Sequence, residues 1–269
     1  MRNAVQVLLA QCEAYDHSVV AIQFDHSFNY FPDMNSWFLY FEEEELVGVL
    51  SVFSPLADVA EISGCMKPAQ RNAGKFNELI TAYREELDKH SIGTILFVVD
   101  GDSKTGMDAI AKRQLKCDHV EYLMNYRQFK EEYKSTVRLR EAELTDVDNY
   151  IVISSALFHD SRDESRSIVM SCLHSKDRKL YVAEIDNITI GICTLFYAEN
   201  KVTIYGLGIA EAYQGKGYGR DLLHSILNLL KDKPYEVELE VDSLNEKAYS
   251  LYKTAGFKEK RVVNYYIGL

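Results

Sequence analysis

The sequence predicts an α/β (α+β) protein built from two similar domains in tandem. Three observations lead there. The 269 residues exceed one ordinary domain of roughly 150 residues. Short β-like runs and amphipathic helical stretches alternate along the whole chain. The two halves also echo one another. "LFVVDGDSKTGMDAIAKRQLKCDHVEYLMNY" (96–126) parallels "ELEVDSLNEKAYSLYKTAGFKEKRVVNYY" (238–266) as strand, Asp, helix, turn and a strand ending in Asn-Tyr. "AEISGCMKPAQRNAGKFNELI" (60–80) parallels "VTIYGLGIAEAYQGKGYGRDLL" (202–223). Self-similarity over half a chain is the pattern of a tandem duplication; two unrelated units with generic patterning are the alternative.

Taken in order, "MRNAVQVLLAQCEAYDHS" reads as a helix. Its apolar run is short and no small-residue cleavage site follows, so it does not read as a signal peptide. In "YRQFKEEYKSTVRLREAELTDVDNYIVI" a charged stretch gives way to a strand, a turn and a helix, which places the domain boundary near residue 130, between domains 1–130 and 131–269. Helical periodicity then fills 144–158 and about 163–173. "KLYVAEID" and "ITIGICTLFYAE" form a hairpin around Asp186-Asn187, followed by the strand "KVTIYGLGIA". A helix over 217–230 carries Leu222, Leu223, Ile226, Leu229 and Leu230 as one apolar stripe. "YEVELEVD" alternates strictly, so Val237, Leu239 and Val241 face the core while Glu236, Glu238 and Glu240 form a solvated face. A helix over 245–255 ends at Gly256, and "RVVNYYIGL" is the last strand.

Apolar residues make up 47% of the chain, enough for substantial cores, and the net charge is −11. That charge argues against a general nucleic-acid binder, which depends on Lys and Arg at phosphates. It suits a cationic amine acceptor, and it equally suits plain solubility. Cys12, Cys65, Cys117, Cys172 and Cys193 stand singly without CxxC spacing, which points to free thiols in a reducing compartment rather than disulfides or zinc. No run reaches the 18 or so apolar residues of a membrane span. A cytoplasmic location, with no membrane and no metal, is expected.

The chemistry concentrates in Gln214-Gly215-Lys216-Gly217-Tyr218-Gly219, directly after a strand and opening a helix. Glycine in a helix costs about 1 kcal/mol relative to alanine, so three at alternate positions need a compensating use. Helix N-terminal amides lack intrahelical partners and carry partial positive charge, and alternate glycines let several of them converge on a diphosphate. Gln214 adds an amide donor and Lys216 a charge. "GLGIAE" (206–211) has Glu211 where a dinucleotide fingerprint needs glycine, and there is no GxxxxGK[ST] loop.

About 26 residues beyond the glycines, "NEKAYSLYKTAGF" supplies Asn, Ala, Leu-Tyr and Gly-Phe in order. Together the two motifs resemble the GNAT superfamily of acyl-coenzyme A N-acyltransferases, over roughly 137–267. The resemblance implies two tandem domains, each a mixed, mainly antiparallel twisted sheet flanked by helices. It implies acetyl-CoA as co-substrate, with Gln214 to Gly219 at the pyrophosphate and the backbone of Leu207, Gly208 and Ile209 along the pantetheine arm. Asn245 would contact that arm as well. Tyr252 would protonate the departing thiolate, a task suited to a phenol of pKa near 10. The activity implied is transfer of an acetyl group to a primary amine by direct attack in a ternary complex. A small molecule, a protein or a peptide could supply that amine. A non-catalytic, CoA-binding regulatory or scaffolding module is the other reading, and a homodimer is one open assembly.

The general base is not singled out by the residues. "VTIYGLGIA" holds no carboxylate, which leaves Glu238, Glu240, His159, Asp160, Glu164 or a water relay. The first half departs from the pattern. "RNAGKF" (71–76) keeps Arg-x-x-Gly but puts Phe76 at the helix entrance. Ser103 stands where Asn is expected, and Ile110, or nearby Lys112, where Tyr is expected. It reads as a degenerate repeat that binds no cofactor.

Overall fold

A computed structural model describes residues 1–127 and 133–268. The boundary expected near residue 130 lies outside the described residues. The chain divides into two compact units, Met1–Glu121 with Arg261–Leu269, and Tyr122–Lys260.

Unit 1 opens with α1 (Arg2–Asp16), whose Val5, Leu8, Leu9 and Cys12 face the core at i, i+3, i+4 and i+7. Next come β1 (Trp37–Glu42), β2 (Glu45–Phe53) and β3 (Val59–Met66), then α2 (Lys75–His90), β4 (Thr94–Asp100) and α3 (Lys104–Lys112). β5 (Lys116–Tyr126) ends in unit 2. β1, β2 and β3 pair antiparallel, whereas β3 and β4 pair in parallel with α2 as the crossover. The last strand, β11 (Lys258–Gly268), pairs antiparallel with β4 from Val263↔Asp100 to Gly268↔Ile95. The strand read from sequence as the end of the second domain therefore completes the sheet of unit 1. Leu50, Ile62, Tyr83 and Leu87 sit at the centre of its core.

Unit 2 repeats the plan. β6 (Arg138–Glu141) leads into α4 (Val147–Phe158) and α5 (Arg162–His174), then β7 (Arg178–Ile185), β8 (Ile188–Ala198) and β9 (Lys201–Ile209). After α6 (Tyr218–Leu230) come β10 (Glu236–Asp242) and α7 (Glu246–Ala255). β6, β7, β8 and β9 are successive antiparallel neighbours, and β9 pairs in parallel with β10. The β7–β8 turn uses Asp186 and Asn187 at φ 51° and 63°, the left-handed pair of a two-residue hairpin. The fold is thus mixed α/β with a mainly antiparallel sheet flanked by helices.

Two details differ from the pattern reading. On α6 the buried stripe is Leu222, Leu223, Ile226, Leu227 and Leu230, while Leu229 is 44% exposed. At 100° per residue, 229 falls off the arc shared by 222, 226 and 230. Glu238 does not belong to a solvated face. It is 2% exposed and forms ion pairs with Lys201 at 2.8 Å and with Lys260. Lys201 comes from the adjoining strand β9 and Lys260 from β11, one strand further away, which alternation along one strand cannot reveal.

Candidate active site

Three features of unit 2 meet at the end of β9. The first is a break in pairing. β9 and β10 pair from Glu236↔Lys201 to Leu239↔Ile204, yet β9 runs on to Ile209 and β10 to Asp242. The strands part where Tyr205 and Glu240 begin. On its other edge β9 stays paired to β8, with a bulge at Cys193 between Ile192↔Gly208 and Thr194↔Tyr205. Gly206 takes φ 56° in this bulge, a conformation that excludes most side chains. At Gly208 a Cβ would lie 2.4 Å from Leu157 Cδ1 of α4, so any larger residue there would have to displace that leucine. Leu207, Gly208 and Ile209 thereby present the backbone edge on the parted side.

The second feature is the glycine loop. A short 3₁₀ turn over Glu211–Tyr213 brings the chain to Gly215 at φ 74° and to Gly217, the α6 N-cap, at φ 88°. Nothing lies within 4 Å of a Cβ at Gly215, so this glycine answers to backbone angle rather than crowding. The first helical bond runs from Arg220 N to Gly217 O at 3.1 Å. The amides of 215 to 219 precede it and lie at the positive end of the helix dipole. Gln214 turns back, its Nε2 donating to Ile209 O at 2.8 Å, which ties the loop to the strand end. Lys216 Nζ donates to Ala212 O at 3.1 Å and sits 5.3 Å from the Tyr213 ring centre. Tyr218 is half-buried against the core. A diphosphate fits these residues: donors converge from main chain, the helix end is positive, and Lys216 has only a weak, exposed attachment to give up.

The third feature is α7. Asn245 is its N-cap, Oδ1 accepting from Ala248 N at 3.1 Å. Two turns on, Tyr252 is 7% exposed, with its ring tilted against Phe257 at 5.9 Å. Burial, reinforced by the neighbouring Cys193 of the β8 bulge, pushes its hydroxyl up to about 12. Tyr252 therefore stays a proton donor throughout the ordinary pH range.

The carboxylate candidates separate clearly. Glu238 is engaged by two lysines. Glu164 closes a capping box, its Oε2 accepting from Ser161 N at 2.9 Å and Ser161 Oγ at 2.7 Å. His159 is the left-handed C-cap of α4 at φ 62°. Asp160 is raised by burial and by Glu164. Glu240 is exposed at the point of strand parting. It lies near enough to Tyr205 that its carboxylate, after burial, helps hold that hydroxyl well above its ordinary range.

One supporting residue escaped the sequence reading. Asp221, in the first turn of α6, is 6% exposed. It accepts from Tyr133 Oη at 2.8 Å, from Thr136 N at 3.1 Å and from Thr136 Oγ1. Burial pushes its carboxyl up, but these bonds prevail and hold it below the usual range. A lone Asp beside the motif carries no sequence signal of this. Among the described residues, no cluster of three or more His, Cys, Asp or Glu could hold a metal. No helix among them is long and apolar enough to cross a membrane.

Comparison with known proteins agrees with this geometry. An N-alpha-acetyltransferase of Sulfurisphaera tokodaii is 29% identical over 143 residues, 48% of this chain and 84% of that protein. The GCN5-related N-acetyltransferase of Sphaerobacter thermophilus shares the fold at a TM-score of 0.78 and 16% identity, over 98% of this chain and 91% of its own. A tandem GNAT protein from the clavulanic acid biosynthesis pathway does so at 0.71 and 13%, over 98% and 94%. Residues 142–257 match the Acetyltransferase (GNAT) family. Over residues 142–257 the second unit is thus similar to the Acetyltransferase (GNAT) family.

Proposed function

We propose that unit 2 transfers an acetyl group from acetyl-CoA to a primary amine by direct attack in a ternary complex. The observation that carries this reading is the parting of β9 from β10 directly beside a glycine loop whose amides are uncommitted to the helix. The amides of 215 to 219, with Lys216, would hold the diphosphate. The free edge of Leu207, Gly208 and Ile209 would pair with the amides of the pantetheine arm, and Asn245 would approach that arm with Nδ2, its Oδ1 being used as a cap.

The chain's own groups can then manage both protons. Glu240, exposed at the opening, accepts a proton from the incoming ammonium or from the attacking amine. Tyr252, held neutral by burial, donates to the sulfur as it departs. Amine nitrogen bonds to the acetyl carbon, the carbon–sulfur bond breaks, and CoA leaves as a thiol. The relative's name points to an α-amine, so we place the N-terminus of a peptide or protein foremost among acceptors. We also propose that unit 1 is not the acetyl-CoA site. Arg71, which takes the place of Gln214, is already bound by the Asp16 carboxylate at 2.6 and 2.7 Å.

The test is thiol release from acetyl-CoA against a panel of short peptides and small amines, with product masses measured. The expected result is amine-dependent release with a mass gain of one acetyl group. Calorimetric binding of CoA without release for any amine would leave a binding module instead.

A further inference from the structure

Position along β9 decides where an acyl group would lie. The glycine loop follows the strand, so an arm laid from the amides of 215 to 219 along the free edge meets Ile209 first and Leu207 last. Each strand residue advances the arm by about 3.3 Å, and its far end, with the thioester, comes to Gly206 and Tyr205. Gly206 has no side chain and takes φ 56°. Apart from its chain neighbours, the Phe158 ring is all that lies within 4 Å of where a Gly206 Cβ would point, with Cε2 at 3.7 Å and Cζ at 3.9 Å.

The helix that carries this ring is fixed at several points. α4 packs on β8 and β9, with Tyr150, Ile151 and Ile153 buried. Tyr150 Oη and Thr194 Oγ1 of β8 hydrogen-bond at 3.0 Å in the interior. Leu157, one residue before Phe158, seats on the bare backbone of Gly208. Phe158 ends the helix, and His159 turns the chain away at φ 62°. The Phe158 ring is nonetheless 43% exposed, and Tyr205, beside Gly206, is 38% exposed. A phenyl ring left half open next to a bare glycine, on a helix anchored elsewhere, forms a wall against which a small group fits.

We infer, on the reading that unit 2 holds acetyl-CoA, that Phe158 determines the length of the acyl chain. Its ring stands over Gly206, where the acyl group would arrive, and Leu157 stands over Gly208 behind it. An acetyl group adds one methyl beyond the reacting carbon. Each further methylene has to displace the ring or the leucine, and overfilling a packed site is unfavourable. Apolar pockets discriminate one methylene by about 10–200-fold, so a short acyl group is selected.

The experiment compares acetyl-CoA with butyryl-CoA on the full chain, wild type against Phe158→Ala and Phe158→Leu. Affinities come from calorimetry without amine, and kcat/KM from thiol release with a peptide amine. Wild type should bind butyryl-CoA roughly tenfold more weakly than acetyl-CoA and use it about 100-fold less well. Phe158→Ala should narrow both ratios about tenfold by improving butyryl-CoA, with Phe158→Leu between the two. Affinity for CoA itself should stay within about twofold in both variants, which reports an intact loop and fold. Equal binding of the two thioesters by wild type that still binds CoA would overturn the inference and leave the acetyl-CoA reading standing. Ratios that Phe158→Ala leaves unchanged would overturn it as well. So would an effect confined to the KM for the amine, which would set the ring against the acceptor. The binding arm decides even where no amine turns over. Wild type that binds no CoA at all defeats the acetyl-CoA reading itself, and the inference with it.

Discussion

The loops Arg71–Phe76 and Gln214–Gly219 are nearly the same piece of backbone carrying different side chains. Each follows a 3₁₀ turn, Pro68–Gln70 or Glu211–Tyr213. Each ends in a left-handed glycine N-cap, Gly74 at φ 81° or Gly217 at φ 88°. In each, the first side chain reaches back five residues to the strand-end carbonyl, Arg71 to Met66 O at 2.9 Å and Gln214 to Ile209 O at 2.8 Å. The left-handed turn position between them is Asn72 in one and Gly215 in the other. On the proposal that only the second loop receives a diphosphate, turn geometry by itself does not make the site. The difference lies in charge and bulk. Arg71 is neutralised by Asp16, Lys75 pairs with Glu42, and Phe76 occupies the entrance with its ring against Gly64. In unit 2 the corresponding residues are Gln214, Tyr218 and Gly219, and Gln214 is tied to the Ile209 carbonyl rather than to a carboxylate.

The largest effect should come from the helix that follows. Ser103 and Asn245 are equivalent N-caps, bonding Gly106 N at 3.2 Å and Ala248 N at 3.1 Å. Seven residues on, unit 1 has Ile110 and unit 2 has Tyr252. Tyr252→Phe should lower kcat by about 10²–10⁴-fold with CoA affinity unchanged, while Ile110→Val leaves the rate alone. Because the Tyr252 hydroxyl lies at about 12, wild-type kcat should show no alkaline fall from this group below pH 10. Equal rates for Tyr252→Phe and wild type would remove Tyr252 from the reaction.

Next in size are the glycines. Gly217→Val forces a β-branched residue to positive φ and blocks the approach to the amides, so CoA affinity by calorimetry should fall more than about 100-fold. Gly74→Val imposes the same backbone strain in unit 1 and should leave CoA affinity within about twofold. Matching losses would mean that strain alone, not ligand contact, is being read.

The carboxylates of β10 sharpen the mechanism. Glu240→Gln should reduce kcat/KM by about 10²-fold or more and flatten its acidic limb. Glu238→Gln removes the buried partner of Lys201 and Lys260, which are themselves 45% and 41% exposed, so it should cost about 1 kcal/mol or less of stability, with little change in kcat of the folded enzyme. Asp221 and Glu78 hold the same place in the first turn of their helices. Asp221→Ala strands three donors and should cost about 2–3 kcal/mol in urea unfolding. Glu78 is exposed, its contact being Tyr40 Oη at 3.4 Å, and its removal should cost less than about 0.5 kcal/mol.

The smallest effect is in pH stability. Burial raises Tyr83 of unit 1 and Tyr252 of unit 2 to about 12. Unfolded tyrosine ionises near pH 10. The stability from keeping them neutral is therefore complete below about pH 10 and is lost between about 10 and 12. In acid the sign reverses. Arg127 holds Glu236 at about 2, and Glu86 reaches about 2 because bonds from Asn35 and Lys89 outweigh burial. That contribution is complete above the unfolded value near 4.3 and is lost as pH falls toward about 2. Melting temperatures followed across pH 2 to 12 check both limbs.

What the sequence could and could not convey follows from range. The glycine loop, the helix over 245–255 with its Gly256 stop, and the Asp186-Asn187 hairpin were legible because each is decided within a few neighbouring residues. The burial of Glu238 and the Tyr133–Thr136–Asp221 bonds were not, since each depends on residues brought together by the sheet or by helix packing. Leu229 was misassigned for a milder reason. On a helix with five leucines in its last nine residues, composition leaves the edge of the apolar stripe undetermined. The return of β11 to unit 1 has no local signal, because a strand's partner is not written in its own residues.

The central claim is that one of two look-alike cradles receives the diphosphate of CoA. Amide chemical shifts of the ¹⁵N-labelled protein, followed during titration with CoA, test it most directly. The account predicts saturable shifts at Gly215, Lys216, Gly217 and Gly219, with Asn72, Gly74 and Phe76 unmoved. Shifts at the Asn72–Phe76 amides with the 215–219 amides silent would contradict it.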